Sequence, residues 1–184
     1  MNSIFINNSA RNGGAILWAT SIEGRVLNCS FTNNRALNGS GGAINWRGDK
    51  THIVESNFTD NYAKDNGGAL YITSNVNNYL DLAECKFVNN SADGMNYTIH
   101  NNGELYLDSN TVQEADGEDC LYAIYNNGSI ISPVIVYAVV NDTDPINNNV
   151  AFYPVNETAN ILVYIVDDNL NTINGPGLSL TIGE

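Results

Sequence analysis

Residues 31–44 have the sequence FTNNRALNGSGGAI, and close copies of this phrase recur through the first half of the chain. Each copy has the form Phe-x-x-Asn-x-Ala, followed a few residues later by Gly-Gly-Ala. A fourth copy keeps the first part and lacks the glycine pair. The phenylalanines are Phe5, Phe31, Phe58 and Phe87, which are 26, 27 and 29 residues apart. A period of this length is typical of solenoids, in which similar units stack in a row, rather than of a closed globular core.

Short alternating segments within each copy predict β-strands. The residues two positions before each Phe are small and those three positions before it are polar, which is the two-residue period of a strand with one buried face. The small residues are Ser3, Cys29, Ser56 and Cys85, and the polar residues are Asn2, Asn28, Glu55 and Glu84. A second alternating segment follows each Gly-Gly-Ala, and a short apolar segment precedes each Phe strand. The sequence therefore predicts an all-β fold, a right-handed parallel β-helix over residues 1–131.

Stacking turns each repeat position into a column along the axis, because successive coils lie about 4.8 Å apart. We expect an aromatic column, an aliphatic column and an asparagine ladder. The aromatic column consists of the four phenylalanines. The aliphatic column consists of Ile16, Ile44, Leu70 and Ile99, and the ladder consists of Asn8, Asn34, Asn61 and Asn90. The ladder asparagines are predicted to adopt the left-handed backbone conformation and to bond the copies above and below. The glycine pair is predicted to supply backbone angles that other residues resist.

The cysteines are predicted to be packed rather than paired. Cys29 and Cys85 occupy the same repeat position two coils apart, about 10 Å at the usual strand spacing, which is beyond the reach of a disulfide. Cys120 falls on another wall of the coil. We expect all three to serve as small buried residues.

The composition changes after residue 131. β-rich runs at residues 134–140, 149–155, 161–166 and 178–182 are separated by polar turns, which predicts an antiparallel segment over residues 132–184. Four strands are too few for a sandwich of about seven, so the segment is interpreted as the start of an Ig-like module. Because the repeat also begins without a polar capping unit, we expect the chain to be part of a longer multidomain protein.

The charge of the chain limits its partners. Its formal net charge is -13, and only seven Lys and Arg residues are spread along it. Nucleic acid binding needs clustered cations, so we expect no nucleic acid partner. No segment approaches the roughly 20 apolar residues of a membrane span, so no membrane insertion is expected in this segment.

Acidic residues in register offer a hypothesis of catalysis. Glu55, Glu84 and Asp108 are predicted to project outward in one column, about 5 Å apart, close to the carboxylate spacing of retaining glycosidases. Any outward column of acids has this spacing, however, and it also keeps a solenoid soluble. Since no nucleophile, acid and orienting group converge in the sequence, we predict no catalytic residues.

Two other groups of residues have side chains that could form a site. Arg25, His52 and Asp81 share an outward column, which is interpreted either as a binding patch or as a plain surface strand. His100 and Met95 lie in the degraded fourth coil without evident ligand partners.

The sequence gives no reason to expect a cofactor or metal site. Spacings of the His-x-x-x-His or Cys-x-x-Cys type are absent, which argues against zinc. Calcium at stacked carboxylates or at residues 167–169 is a separate hypothesis. Glycosylation is hypothesised at the Asn-x-Ser/Thr sites that begin at Asn38 and Asn141.

The phrase Phe-x-x-Asn-x-Ala with Gly-Gly-Ala-Ile or Gly-Gly-Ala-Leu resembles the repeat of chlamydial polymorphic outer-membrane proteins. It also resembles the adhesin-like surface proteins of methanogenic archaea, in which such β-helices precede Ig-like repeats, and residues 160–176 are similar to the opening of those repeats. The resemblance covers residues 1–131 best. It implies a cell-surface or secreted protein with a binding or stalk role, and it supplies no catalytic motif.

The sequence therefore predicts a non-catalytic cell-surface adhesin or stalk module. The rigid β-helix would present its variable loops, at residues 21–24, 48–50 and 73–78, to a ligand. That ligand would be a cell-surface protein or a glycan. The alternative function is that of a carbohydrate-active β-helix, similar to polysaccharide lyases or glycoside hydrolases, that uses Glu55 and Glu84. A third interpretation is a structural spacer without a specific ligand.

Overall fold

The chain forms a stacked coil of parallel strands. A computed structural model describes residues 2–19, 23–74, 79–108, 111–113, 124–131, 135–140, 161–166 and 173–174. Every regular element in these residues is a β-strand, and the parallel strands stack into a β-solenoid of about four turns. The predicted all-β fold and parallel β-helix are confirmed.

Four parallel sheets, named A to D, run along the solenoid, and successive coils add strands to each of them. Sheets A and B form the first part of each coil. Sheet A consists of β1 (Ile4–Ile6), β5 (Ser30–Thr32), β9 (Asn57–Thr59), β13 (Lys86–Val88) and β17 (Thr111–Gln113). Sheet B consists of β2 (Ser9–Ala10), β6 (Arg35–Ala36), β10 (Tyr62–Ala63) and β14 (Ser91–Ala92).

Sheets C and D complete the coil. Sheet C consists of β3 (Ile16–Trp18), β7 (Ile44–Trp46), β11 (Leu70–Ile72), β15 (Ile99–Asn101), β18 (Ile124–Asn126) and β22 (Ile173–Asn174). Sheet D consists of β4 (Gly24–Leu27), β8 (Lys50–Val54), β12 (Tyr79–Ala83), β16 (Glu104–Asp108) and β19 (Ser129–Ile131). The variable loops connect sheet C to sheet D; residues 21–22 and 75–78 lie outside the described residues.

The phenylalanines of sheet A form the predicted aromatic column. Phe5, Phe31, Phe58 and Phe87 are direct partners in successive strands. Their rings stack with centroids 4.7, 4.8 and 4.7 Å apart, and the last three are fully buried. Their centroid spacing gives the rise per coil, so one coil adds about the spacing of adjacent strands.

The predicted aliphatic column lies in sheet C and is also confirmed. Ile16, Ile44, Leu70 and Ile99 are successive partners, and Ile124 extends the column by one coil. The aromatic and aliphatic columns belong to one continuous core inside the coil.

The asparagine ladder connects the coils, and its two middle members, Asn34 and Asn61, are fully buried. The Nδ2 atoms of Asn8, Asn34 and Asn61 donate to the Oδ1 atom of the next ladder residue at 2.8, 3.0 and 2.8 Å. The same Oδ1 atoms accept the backbone N–H groups of the preceding copies at 3.0–3.1 Å. Each Oδ1 atom thus accepts hydrogen bonds from one side-chain amide and one backbone N–H group of the preceding coil.

The left-handed backbone was predicted at the wrong asparagine column. The positive φ angles, between 52° and 57°, belong to the residues that precede the ladder: Asn7, Asn33, Asp60 and Asn89. These residues are exposed, and Asn and Asp tolerate the left-handed conformation better than most residues do. Their side chains also form hydrogen bonds between coils: Asn33 Nδ2 donates to Asn7 Oδ1 at 2.7 Å, and Asn89 Nδ2 donates to Asp60 Oδ1 at 2.6 Å.

The two glycines of each pair have different roles. Gly41 has a φ angle of 75°, which favours glycine, as predicted. A Cβ atom on Gly42 would lie 1.9 Å from the carbonyl oxygen of Gly68 in the next coil, so this position requires glycine for its close backbone approach. The narrow corner beside it holds only small buried side chains, those of Ala36, Ala63 and Ala92.

The cysteines with described side chains are packed as predicted. The pairing of neighbouring residues places Cys29, Ser56 and Cys85 in successive coils. Neither Cys29 nor Cys85 forms a disulfide, both are buried, and burial raises the pKa of Cys85 to about 12. Cys120 lies outside the described residues.

The C-terminal segment contains an antiparallel pair, β20 (Ile135–Val140) and β21 (Ile161–Val166). The predicted runs at residues 149–155 and 178–182 lie outside the described residues, and the Ig-like identity stays a prediction. The sequence did not predict that β22 pairs in parallel with β18, with Ile173 opposite Ile124. Residues after 131 therefore add a strand to sheet C.

Candidate functional site

Sheet D presents the longest strands of the solenoid. β8, β12 and β16 each contain five residues, and their side chains alternate between the core and the outer face. Ile53, Leu82 and Leu107 point inward and are buried. The residues between them are therefore displayed in columns on one outer surface, the sheet D face.

The predicted column of Arg25, His52 and Asp81 exists and is connected. The three residues are strand partners in successive coils. His52 Nδ1 lies 2.8 Å from Asp81 Oδ2, and each of these side chains is about a quarter exposed. The sequence analysis missed Glu23, whose Oε1 atom accepts from Arg25 Nη2 at 3.2 Å and lies 3.6 Å from His52 Nε2. Its loop is irregular in length, so no repeat position pointed to it.

A cavity of about 210 Å³ opens on this face, lined by Arg25, Leu27, His52 and Val54. It is smaller than the roughly 300–1,000 Å³ of pockets that enclose drug-sized ligands. Two apolar side chains form part of the lining, and a guanidinium and an imidazole supply hydrogen-bonding groups. This combination fits a single small ring or side chain with polar substituents.

Two tyrosines flank the cluster. Lys50 Nζ lies 5.7 Å from the centroid of the Tyr79 ring, within the range of a cation–π contact. Burial, and next the charge of Asp81, raise the pKa of Tyr79. Tyr106 is the strand partner of Asp81 and is 37% exposed. The sheet D face therefore combines aromatic surface with charged hydrogen-bonding groups.

The acidic column was predicted with one error of register. Glu55 and Glu84 occupy equivalent corner positions in adjacent coils, both exposed and both with a φ angle of 51°. Asp108, however, is the strand partner of Ala83, so it lies one residue before the Glu84 position. The error arose because Glu84, at a corner, and Asp108, in a strand, are both acidic. The sequence alone does not show which of them ends its strand.

His100 lies in an aromatic stack on the outer side of sheet C. Its ring centroid is 5.0 Å from that of Tyr71 and 4.7 Å from that of Tyr125. The residue is only 5% exposed, and its Nδ1 atom has no hydrogen-bond partner among the residues that the structure describes. Burial lowers the pKa of His100. Met95, in contrast, is exposed and is bridged to Asn66.

The described residues bear on three further hypotheses: a metal site, glycosylation and a membrane span. In the part of the chain that the structure describes, no group of three or more His, Cys, Asp or Glu side chains is arranged to hold a metal ion. Asn38 is exposed, whereas Asn141 and residues 167–169 lie outside the described residues. No helix with the length and apolar character of a membrane span occurs among the described residues.

Parts of the sequence match a known repeat. Three segments match the Chlamydia polymorphic membrane protein repeat. They are residues 2–17, 28–45 and 55–73, which contain the three complete copies of the phrase and together cover under a third of the chain. No curated protein and no solved structure matches the sequence. The resemblance to the chlamydial repeat is confirmed, while the archaeal and adhesin resemblance stays a prediction.

Proposed function

We propose that this chain is a non-catalytic binding module of a cell-surface protein, an adhesin or stalk unit that attaches to a glycan or a cell-surface protein through the sheet D face. The observation that carries the proposal is the cluster of Glu23, Arg25, His52 and Asp81 beside a cavity. The similarity to a repeat of polymorphic membrane proteins supports a surface location.

The scaffold is suited to display. Its core, ladder and glycine corners repeat in every complete coil, so the outward side chains are held at fixed spacings by backbone bonds on both sides. A rigid sheet loses little conformational entropy when a ligand binds to it. The solenoid therefore supports recognition by an exposed face rather than by an enclosed pocket.

The side chains suit a hydroxylated ligand. Carboxylates of Glu23 and Asp81 accept hydrogen bonds, the Arg25 guanidinium donates them, and the His52 imidazole can do either. Leu27, Val54 and Tyr106 offer apolar surface beside these groups. Sugars combine hydroxyl groups with an apolar ring face, so a glycan is the ligand class that uses both parts.

The proposal is tested by binding the purified chain to glycan arrays and to candidate target cells. Asp81→Asn removes the charge that holds His52, and His52→Ala removes the ring from the cavity. Asp60→Asn is the matched control, since it makes the same chemical change in the exposed column of Asn7, Asn33 and Asn89 on another part of the surface. We expect the first two variants to bind at least about fivefold more weakly, because each loses a charge-assisted hydrogen bond.

Two results would contradict the proposal. One is that the unaltered chain binds no glycan and no cell type. The other is that Asp60→Asn lowers binding as much as Asp81→Asn does, which would show that the sheet D face is not the binding surface.

A carbohydrate-active module is the second candidate, favoured only by the adjacent carboxylates of Glu55 and Glu84. Because Asp108 lies at a different position, this column contains two acids, both at an exposed corner. Polysaccharide digestion by the unaltered chain and by Glu84→Gln decides between the candidates: activity that disappears in the variant would establish catalysis there, and equal activity would exclude that site.

A further inference from the structure

Three of the seven cations of the chain lie on the outer surface of sheet B. Ala36, Ala63 and Ala92 point into the coil, so the residues immediately before and after them point outward. Backbone hydrogen bonds continue the pairing register beyond the ends of these strands. The N–H groups of Leu37, Lys64 and Asp93 donate to the carbonyl oxygens of Ala10, Ala36 and Ala63, respectively. These outward positions form a two-column strip, the basic strip. It consists of Ser9, Arg35, Tyr62 and Ser91 in one column and Arg11, Leu37, Lys64 and Asp93 in the other.

The basic strip reverses the charge of the molecule locally. Its eight positions carry Arg11, Arg35 and Lys64 against one carboxylate, Asp93, whereas the whole chain has a net charge of -13. All its residues are exposed apart from Tyr62, which is half-buried. Asp65 follows Lys64 in the chain, and its charge also raises the pKa of Lys64. With Asp65 included, the three cations of the strip still outnumber its carboxylates.

Contacts within the basic strip hold two of its three cations, Arg35 and Lys64, in place. The Arg35 guanidinium lies over the Tyr62 ring, 4.4 Å from its centroid. Lys64 Nζ lies 2.6 Å from Asp93 Oδ2. Hydrogen bonding to Asp93 raises the pKa of Lys64, and the Lys64 ammonium lowers the pKa of Asp93, so both groups are charged at neutral pH. A stacked guanidinium keeps its edge free for a bidentate contact with an anion.

The spacing of the cations follows the coil. Arg11, Arg35 and Lys64 belong to three successive coils, and the rise per coil is 4.7–4.8 Å. One cationic side chain per coil is therefore presented along the axis, in alternating columns, and that of Lys64 is paired with Asp93. This rise is close to the length of one sugar unit in an extended polysaccharide, so a chain with one acidic group per sugar would meet one cation per unit.

We propose that the basic strip binds a linear anionic polysaccharide, with carboxylate or sulfate groups, that lies along the solenoid axis. The hydroxyls of Ser9 and Ser91 and the exposed Leu37 side chain offer a sugar both hydrogen bonds and apolar contact. A nucleic acid duplex fits less well, because it carries one phosphate per roughly 1.7 Å of its axis, a spacing that one cation per coil does not match. This inference does not depend on the sheet D face.

The test measures binding of the purified chain to polygalacturonate, which carries carboxylates, to dextran sulfate, and to neutral dextran. Lys64→Gln is compared with Lys86→Gln, a matched control on the outer surface of sheet A. Arg35→Gln and the triple change of Arg11, Arg35 and Lys64 to Gln complete the series. The melting temperature of each variant establishes that it is folded.

We expect binding to at least one acidic polymer and none to neutral dextran. Each single change within the basic strip should weaken binding about twofold to fivefold, the triple change at least about tenfold, and Lys86→Gln by less than about twofold. Binding should fall with rising salt, and each neutralised cation should reduce that salt dependence by roughly one unit of slope.

Three outcomes would overturn the proposal. The first is that neither acidic polymer binds. The second is that Lys86→Gln weakens binding as much as Lys64→Gln. The third is that single-stranded DNA of equal charge binds as tightly as the acidic polysaccharides, since the strip would then respond to negative charge alone.

Discussion

At the scale of single residues, the ladder asparagines are the positions where one side chain serves two coils. Asn61 Oδ1 accepts from the backbone and the amide of Asn34, and its own amide donates to Phe31 and Asn90. Asn61→Ala leaves buried donors and acceptors without partners, at a cost of about 2–3 kcal/mol in the free energy of unfolding. Denaturant unfolding measures this loss.

Asn57→Ala is the control for this ladder change. It removes the same type of side chain from the same coil, at an exposed position of β9. We expect a change within about 0.5 kcal/mol. Equal costs for the two variants would show that the ladder bonds do not stabilise the coil.

His100 gives the stability of the protein a defined dependence on pH. Burial lowers its pKa below the ordinary value of 6.5, so the folded state binds fewer protons than the unfolded chain between these two values. The free energy of unfolding should therefore increase with pH in this window. Equivalently, stability is lost as the pH falls through 6.5 towards the lower pKa of the folded state.

Melting temperatures between about pH 5 and about pH 7.5 test this dependence. His100→Gln should therefore reduce the slope in this window. The lowered pKa of Asp93 acts only below about pH 4 and does not interfere. An unchanged slope in His100→Gln would assign the dependence to other groups.

At the scale of elements, the aromatic column shows how burial depends on position along the stack. Phe58 is fully buried and stacks on two rings, whereas Phe5 is half-buried and stacks on Phe31 alone. Phe58→Ala should cost about 3–5 kcal/mol, the usual range for a buried Phe. Phe5→Ala should cost less than about half of that, because less apolar area leaves the solvent on folding.

Hydrogen exchange of the strand amides shows where each of these changes acts. Coils contact only their neighbours, so Phe58→Ala should weaken protection mainly in β5, β9 and β13. If both variants lost the same stability, the column would not act as a stack of separately buried rings.

Elements built on identical residues were predictable from the sequence, and others were not. Phe31, Asn34 and Ile44 recur in identical or similar form, so spacing alone placed them in columns. The left-handed corner was assigned to the wrong column because two adjacent columns are both rich in asparagine. Asp108 was misplaced by one residue, since the length of a corner has no signature in the sequence.

The basic strip was missed for a related physical reason. One column reads Ser, Arg, Tyr and Ser, and the other reads Arg, Leu, Lys and Asp, so no residue type recurs in successive coils. The useful signal was the position itself, because residues on either side of a buried repeat Ala must face solvent. Pairing of β22 with β18 joins residues about fifty positions apart, which no local period can indicate.

At the scale of the whole molecule, the net charge is -13, and the Lys and Arg ion pairs among the described residues, Arg25 with Glu23 and Lys64 with Asp93, are exposed. Like charges at this density repel one another and destabilise the compact state. Sodium chloride between about 0.02 M and about 0.5 M shortens the screening length from tens of ångströms to a few. The melting temperature at neutral pH should therefore rise with salt.

The same titration near pH 4.2, the isoelectric point, is the matched comparison. There the net charge vanishes, so added salt should have little effect on the melting temperature. Screening of exposed pairs such as Lys64 and Asp93 costs little in either case, since such pairs contribute about 0–1 kcal/mol. A melting temperature that fell with salt at neutral pH would mean that ion pairs outweigh repulsion. Since salt should also release an acidic polysaccharide from the basic strip, stability and binding are expected to change in opposite directions in one titration.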